Sequence, residues 1–173
     1  MRPARRLAAT GLAVAPALLW ASLAAADEPA GCDAFKWPLD HERAALVNPG
    51  KPALPNGGAL AYDQAATLKL APLAEAGLPH APERSSKAAQ SYAGHFTLGA
   101  PPKPGIYKVT IGAEGWIDVL DGGQFLHPKA FSGATGCDGA RKSVKFDLPA
   151  HALEIQLSGV KDAGIAVIVS PGE

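Results

Sequence analysis

Along the C-terminal two-thirds of the chain, apolar and polar residues alternate with a period of two, the mark of strands buried on one face. Residues 106–111 set Tyr107, Val109 and Ile111 against Lys108 and Thr110, and 116–121 set Ile117 and Val119 against Trp116, Asp118 and Leu120. Residues 144–148 alternate Val144, Phe146 and Leu148 with Lys145 and Asp147, and 152–158 alternate Leu153, Ile155 and Leu157 with Glu154, Gln156 and Ser158. Upstream, 92–98 carries Tyr92, Phe96 and Leu98 opposite His95 and Thr97. Residues 165–170 are apolar on both faces, as a central or doubly covered strand requires, and Pro171 stops them. Asp121-Gly122-Gly123 predicts a hairpin turn into 124–126. The Gly-rich stretch 132–142 predicts a long loop.

The N-terminal half is patterned more weakly. Asp40 is placed as the N-cap of a short helix over 41–47 that ends before Pro49, with Ala44, Ala45 and Val47 as its apolar stripe. Six prolines and Asn56-Gly57-Gly58 punctuate 48–90, leaving two short strands near 59–62 and 67–70, the second turning Leu68 and Leu70 inward. The rest, including a loop over 83–90, is expected to be irregular structure wrapped on the core. The fold class is therefore all-β: an antiparallel β-sandwich of jelly-roll type with one short N-terminal helix. It forms a single domain over 27–173, with 27–90 as the wrap and 91–173 as the strand-rich core.

The first 26 residues read as a cleaved signal peptide. Arg2, Arg5 and Arg6 precede an apolar run that ends in Ala24-Ala25-Ala26. A membrane anchor needs about 20 apolar residues, and this run is Ala-rich and interrupted by Pro16. A periplasmic or secreted location is expected, with no membrane span after cleavage. Loss of the leader's three arginines takes the basic residues from 16 to 13 against 16 acidic ones, a net charge of −3. The remaining basic residues are scattered, so no nucleic-acid partner is expected. An even cysteine count in an exported chain predicts a bridge between Cys32 and Cys137, stapling the N-terminal segment to the loop before Val144.

The residues that carry chemistry are sparse. His41, His80, His95, His127 and His151 show neither H-x-H nor H-x-x-x-H spacing, and the sole methionine, Met1, lies in the leader. No serine stands in a G-x-S-x-G setting, and Gly133, Gly136 and Gly139 enter a strand rather than a phosphate-cradling helix. No catalytic residue, metal site or cofactor is expected. Two places are candidates for ligand binding. Trp116 points away from Ile117 and Val119 with Asp118 on the same face, where an indole can stack on a sugar ring or a partner's apolar patch. The alternative is a second covering layer, for which the segment around Trp37 is available. The loop 136–142 offers Asp138, Arg141 and Lys142 on a tethered platform suited to an anionic or carbonyl-bearing ligand, against the alternative of a solvated turn.

The runs Cys32-Asp33-Ala34-Phe35-Lys36-Trp37-Pro38-Leu39, Trp116-Ile117-Asp118-Val119 and Gly136-Cys137 with Arg141-Lys142-Ser143-Val144 resemble those of small exported bacterial proteins of unassigned function. Gly105-Ile106-Tyr107-Lys108-Val109 and the strands after it are similar to jelly-roll modules such as pre-peptidase C-terminal domains. That resemblance implies a binding or accessory module. The expectation is a non-catalytic module of the bacterial envelope that recognises a glycan or a protein partner. Its rivals are a small periplasmic hydrolase or metal-dependent oxygenase, and a purely structural envelope component.

Overall fold

The alternating stretches become strands in the computed structural model of the chain, which describes residues 28–84 and 90–172. The leader expected over 1–26, and most of the loop expected over 83–90, lie outside the described residues. The described strands are β1 (Ala53–Leu54), β2 (Gly58–Leu60), β3 (Ala66–Lys69), β4 (Ala71–Pro72), β5 (Tyr92–Leu98), β6 (Gly105–Ile111), β7 (Trp116–Asp121), β8 (Gln124–Phe125), β9 (Ala130–Gly133), β10 (Lys142–Leu148), β11 (Leu153–Val160) and β12 (Gly164–Pro171). One α-helix, α1, spans Asp40–Val47.

The strands form two sheets. The first runs β1-β3-β12-β6-β10-β9 and the second β2-β5-β11-β7-β8, with β4 beside β5. The antiparallel pairs β3 with β12, β5 with β11, β6 with β10 and β7 with β8 are nested, so the chain is a ribbon folded back on itself about the β7–β8 hairpin. Their inward residues, among them Leu68, Phe96, Val109, Val119, Phe146, Ile155 and Val167, pack into one buried cluster drawn from both sheets.

Three expectations need correcting. The first part of the wrap holds more strand than the two segments expected: β1 to β4, within 53–72, reach both sheets, and β1 with β3 and β2 with β5 pair in parallel, which makes both sheets mixed rather than antiparallel. The loop expected over 132–142 starts late, because β9 pairs with β10 through Gly133 opposite Lys142. The helix begins at Asp40 itself, with no side-chain cap; the Asp40 carboxylate instead faces Arg43 at 3.7 Å. Its inward face is Glu42 and Leu46, one turn apart, while Val47 is exposed. This rotation matches the surface beneath. Leu46 meets Ile168 on the outer face of β12, and Glu42 meets Ser170 two residues along.

Both sheets have much of their outer face covered, although Thr97 and Asp147 stay exposed. On the first, α1 covers the β12 side, and the segment after the Cys32–Cys137 disulfide covers the β9–β10 side. There the Trp37 indole donates to Ser143 Oγ (3.1 Å), Thr110 donates to the same oxygen (2.9 Å), and the Lys36 backbone N–H donates to Ser132 Oγ (3.0 Å). On the second, residues 76–84 lie over β5, β11 and β7. The Asn56 amide donates to the Ala76 carbonyl (2.8 Å), and the N–H groups of His80 and Glu83 reach Gln156 and Asp118 (3.4 and 3.3 Å). Trp37 is thus a cover, but for the first sheet; residues 79–84 do that work over the sheet that carries Trp116.

Candidate ligand-binding cleft

The edge where the two sheets part is unevenly finished. β8 pairs only with Leu120 and Asp121, so the Trp116 end of β7 has no neighbouring strand on that side. In the other sheet, β9 runs past this gap. Phe131 and Val144 are cross-strand partners, and alternation turns both toward the second sheet. With no strand opposite, Phe131 stays 65% exposed, whereas Val144 reaches the core.

A cleft of about 260 Å³ lies here, lined by Trp116, Ile117, Pro128, Phe131, Val144, Lys142 and Arg84. Ile117 and Val144 make an apolar floor, with Trp116, Pro128 and Phe131 as flat walls. The two charged lining residues are both cations. The Arg84 guanidinium sits 4.5 Å and the Lys142 ammonium 5.5 Å from the Trp116 ring centre, within cation–π range. The indole N–H donates to Asp118 Oδ1 at 2.6 Å, which fixes the ring plane and makes the ring a better partner for cations. Asp118 is 3% exposed, and its other oxygen accepts from the Gln156 amide at 3.0 Å.

Lys142 is held from behind by the Gly115 carbonyl (2.6 Å) and, more loosely, by Glu114 (3.4 Å). Glu114 is itself gripped by Arg141 at 2.6 Å, and Arg141 also holds Glu28 at 2.9 Å. A second cleft of about 280 Å³ lies across Phe131, and shares Phe131 and Lys142 with the first. Lys36 sits over the Phe131 ring there, 5.0 Å from its centre.

Comparison with protein-family models, curated proteins and solved structures finds no match. The site therefore stands on its geometry alone. Of the residues singled out in the sequence, Trp116 and Lys142 line the cleft, and Asp118 lies buried behind the indole as its orienting acceptor. Arg141 belongs to the ion pairs on the flank. Asp138 is elsewhere: its backbone carbonyl accepts from Arg43 Nε at 3.1 Å, and the loop 136–142 does not gather its three charged residues at one point. Phe131, Pro128 and Arg84 were not singled out. A lone Phe131 between Ala130 and Ser132, just ahead of the stretch that reads as loop, gives no periodic signal.

A larger cleft of about 350 Å³ lies between α1 and the first sheet, beside Trp37, His41, Glu42, Asp63, Lys108 and Ser170. Its serine, lysine and carboxylate suggest a nucleophile, but their geometry is that of a lock. Lys108 Nζ donates to Glu42 at 2.8 Å, and Ser170 Oγ donates to the same oxygen at 2.5 Å while only 1% exposed. Both donors are spent on one carboxylate, and the hydroxyl cannot reach a substrate. Among the described residues, no three His, Cys, Asp or Glu side chains converge to hold a metal ion.

Proposed function

We propose that the protein is a non-catalytic binding module of the bacterial envelope, periplasmic or secreted, whose Trp116–Phe131 cleft takes a sugar ring of an envelope glycan. The observation that carries this reading is the cleft itself: aromatic and prolyl walls over an apolar floor, with polar groups only at its rim. Its volume falls just short of the roughly 300–1,000 Å³ of drug-sized sites, and suits a single ring. Flat aromatic walls stack on the C–H face of a pyranose, and the indole is already fixed by Asp118, so little ordering is needed on binding. The nested strand pairing supports the jelly-roll reading of the fold, and the resemblance to pre-peptidase C-terminal modules points the same way. The Cys32–Cys137 bridge fits an oxidising compartment, and no described helix is long and apolar enough to cross a membrane.

Ligand-observed NMR against a panel of neutral and acidic mono- and oligosaccharides tests this. Saturation should pass to ring protons from the native protein and be lost in Phe131→Ala. That residue is exposed, so its removal leaves the fold intact. Absence of transfer from the whole panel at millimolar concentration would overturn the reading.

A further inference from the structure

Resting on that reading, we infer that the glycan is acidic and that at least two of its rings bind, one on each side of Phe131, with a ring carboxylate drawn to Arg84 and Lys142. Three observations carry this. The first is charge. The main cleft is lined by two cations and no carboxylate, although the chain carries as many acidic as basic residues. Arg84 is exposed and makes no ion pair with any described residue. Glu114 meets Lys142 with one oxygen at 3.4 Å and Arg141 with the other at 2.6 Å, so one carboxylate is shared between two cations. Lys142 takes its shortest contact from a neutral carbonyl, and its ion pair with the shared Glu114 is long, so its charge is only partly met within the protein.

The second observation is how the cations are placed. Asp118, buried behind the indole, and the ring face together draw the cations to the cleft mouth without neutralising them from the front. A carboxylate arriving there meets two donors already in position, and the apolar floor below takes the ring that bears it.

The third is continuity. The two clefts share Phe131 and Lys142, each is about the size of one ring, and Lys36 supplies a cation to the second as Arg84 does to the first. Glu28 also lines the second cleft, but it is paired with Arg141 at 2.9 Å. A free monocyclic acid fills one cleft; a chain of acidic sugars fills both and straddles the exposed ring.

Isothermal titration separates the possibilities with four probes: trigalacturonate, its neutral methyl ester, monomeric galacturonate and benzoate. Trigalacturonate is expected to bind at least 10-fold more tightly than its ester and than the monomer. Its affinity should fall as salt rises. Arg84→Gln and Lys36→Gln, both at exposed positions, should each remove most of the advantage over the ester, whereas Lys161→Gln, on the β11–β12 turn, should not. Equal binding of acid and ester would overturn the acidic ligand while leaving the glycan cleft in place. Monomer or benzoate binding as tightly as the trimer would overturn the two-ring site. No binding of any saccharide, neutral or acidic, would remove the binding-module reading itself.

Discussion

Removing the Glu42 carboxylate tests whether α1 is held by packing or by a buried charge. Glu42 is 2% exposed, and accepts from Lys108 at 2.8 Å and Ser170 at 2.5 Å. Glu42→Ala leaves a buried hydroxyl and a mostly buried ammonium with no acceptor. Breaking a buried pair by deleting one partner costs about 3–5 kcal/mol. The Lys108 side chain keeps 13% of its exposure and can lean toward water, which puts the expected loss near the lower end, about 3 kcal/mol. Urea unfolding should show the midpoint falling at constant slope. The triple variant Glu42→Leu, Lys108→Met and Ser170→Ala replaces every polar member with an apolar one, and should recover most of that loss. A Glu42→Ala variant within about 0.5 kcal/mol of the parent would refute the lock. A triple variant as unstable as the single one would show that packing, not stranded polar groups, sets the cost.

The same group predicts a pH dependence. Burial alone would raise the Glu42 pKa; the hydrogen bonds from Lys108 and Ser170, with the charge of Lys108, outweigh it and hold the group below its ordinary 4.5. A folded-state value below the unfolded one means a stabilisation fully present above pH 4.5 and lost as the pH falls through the folded value. Wild-type stability should therefore drop more steeply on acidification below 4.5 than that of Glu42→Gln. The opposite ordering of the two slopes would contradict the assignment.

Three further outcomes follow from single positions. Cys137→Ser opens a loop whose ends are 105 residues apart, and should lower stability by about 4–5 kcal/mol in the chain-entropy account; alkylation of both cysteines in the native protein would refute the bridge. Gly139→Ala adds a Cβ 2.7 Å from Val47 and 3.0 Å from the Arg43 carbonyl at a φ of +83°, and should cost about 2 kcal/mol or more in thermal or urea unfolding. Ser158→Ala removes a buried hydroxyl that has no hydrogen-bond partner among the described residues, so it should raise stability by up to about 1 kcal/mol; a loss of similar size would show an unrecognised partner.

Alternation in the sequence reports which side of a sheet a residue faces, but not whether that side is wet. Strands β5 to β7, β10 and β11 were legible because residues such as Val109, Phe146 and Ile155 belong to period-two runs, and all three are buried, whereas β12 was legible as a run apolar on both faces. Thr110, Ser143, Gln156 and Asp118 lie on the other face and read as solvated, yet all four are buried as well. Their partners come from segments distant in the chain: Trp37 is 106 residues from Ser143, and Glu83 is 35 from Asp118. Nothing within one strand encodes that meeting. The same limit hid the helix face. Glu42 looks like a solvent residue until Lys108 and Ser170, side by side on the sheet, supply its donors.

The cleft arises from a mismatch between two edges, which explains why only half of it could be read. Trp116 is conspicuous in sequence because it breaks the polar face of β7. Phe131 is not, because β9 is a four-residue edge strand that runs into the start of a Gly-rich stretch. What joins them is the length of β8: at two residues it stops beside Leu120 and leaves the Trp116 end of β7 bare. Had β8 run three residues further, to the position opposite Ile117, its side chains would have covered that residue and met Phe131, and the seam would have closed as ordinary core. The apolar floor stays reachable because the ribbon runs out of pairing there. The cations Arg84 and Lys142 come from separate segments to the rim of that opening, and Lys36 stands over the far side of Phe131 in the adjoining cleft. On the proposed reading, this gathering of cations beside an apolar opening is what a recognition surface requires. Loss of acidic saccharide binding in Arg84→Gln with unchanged stability would separate that role from mere packing at an unfinished edge.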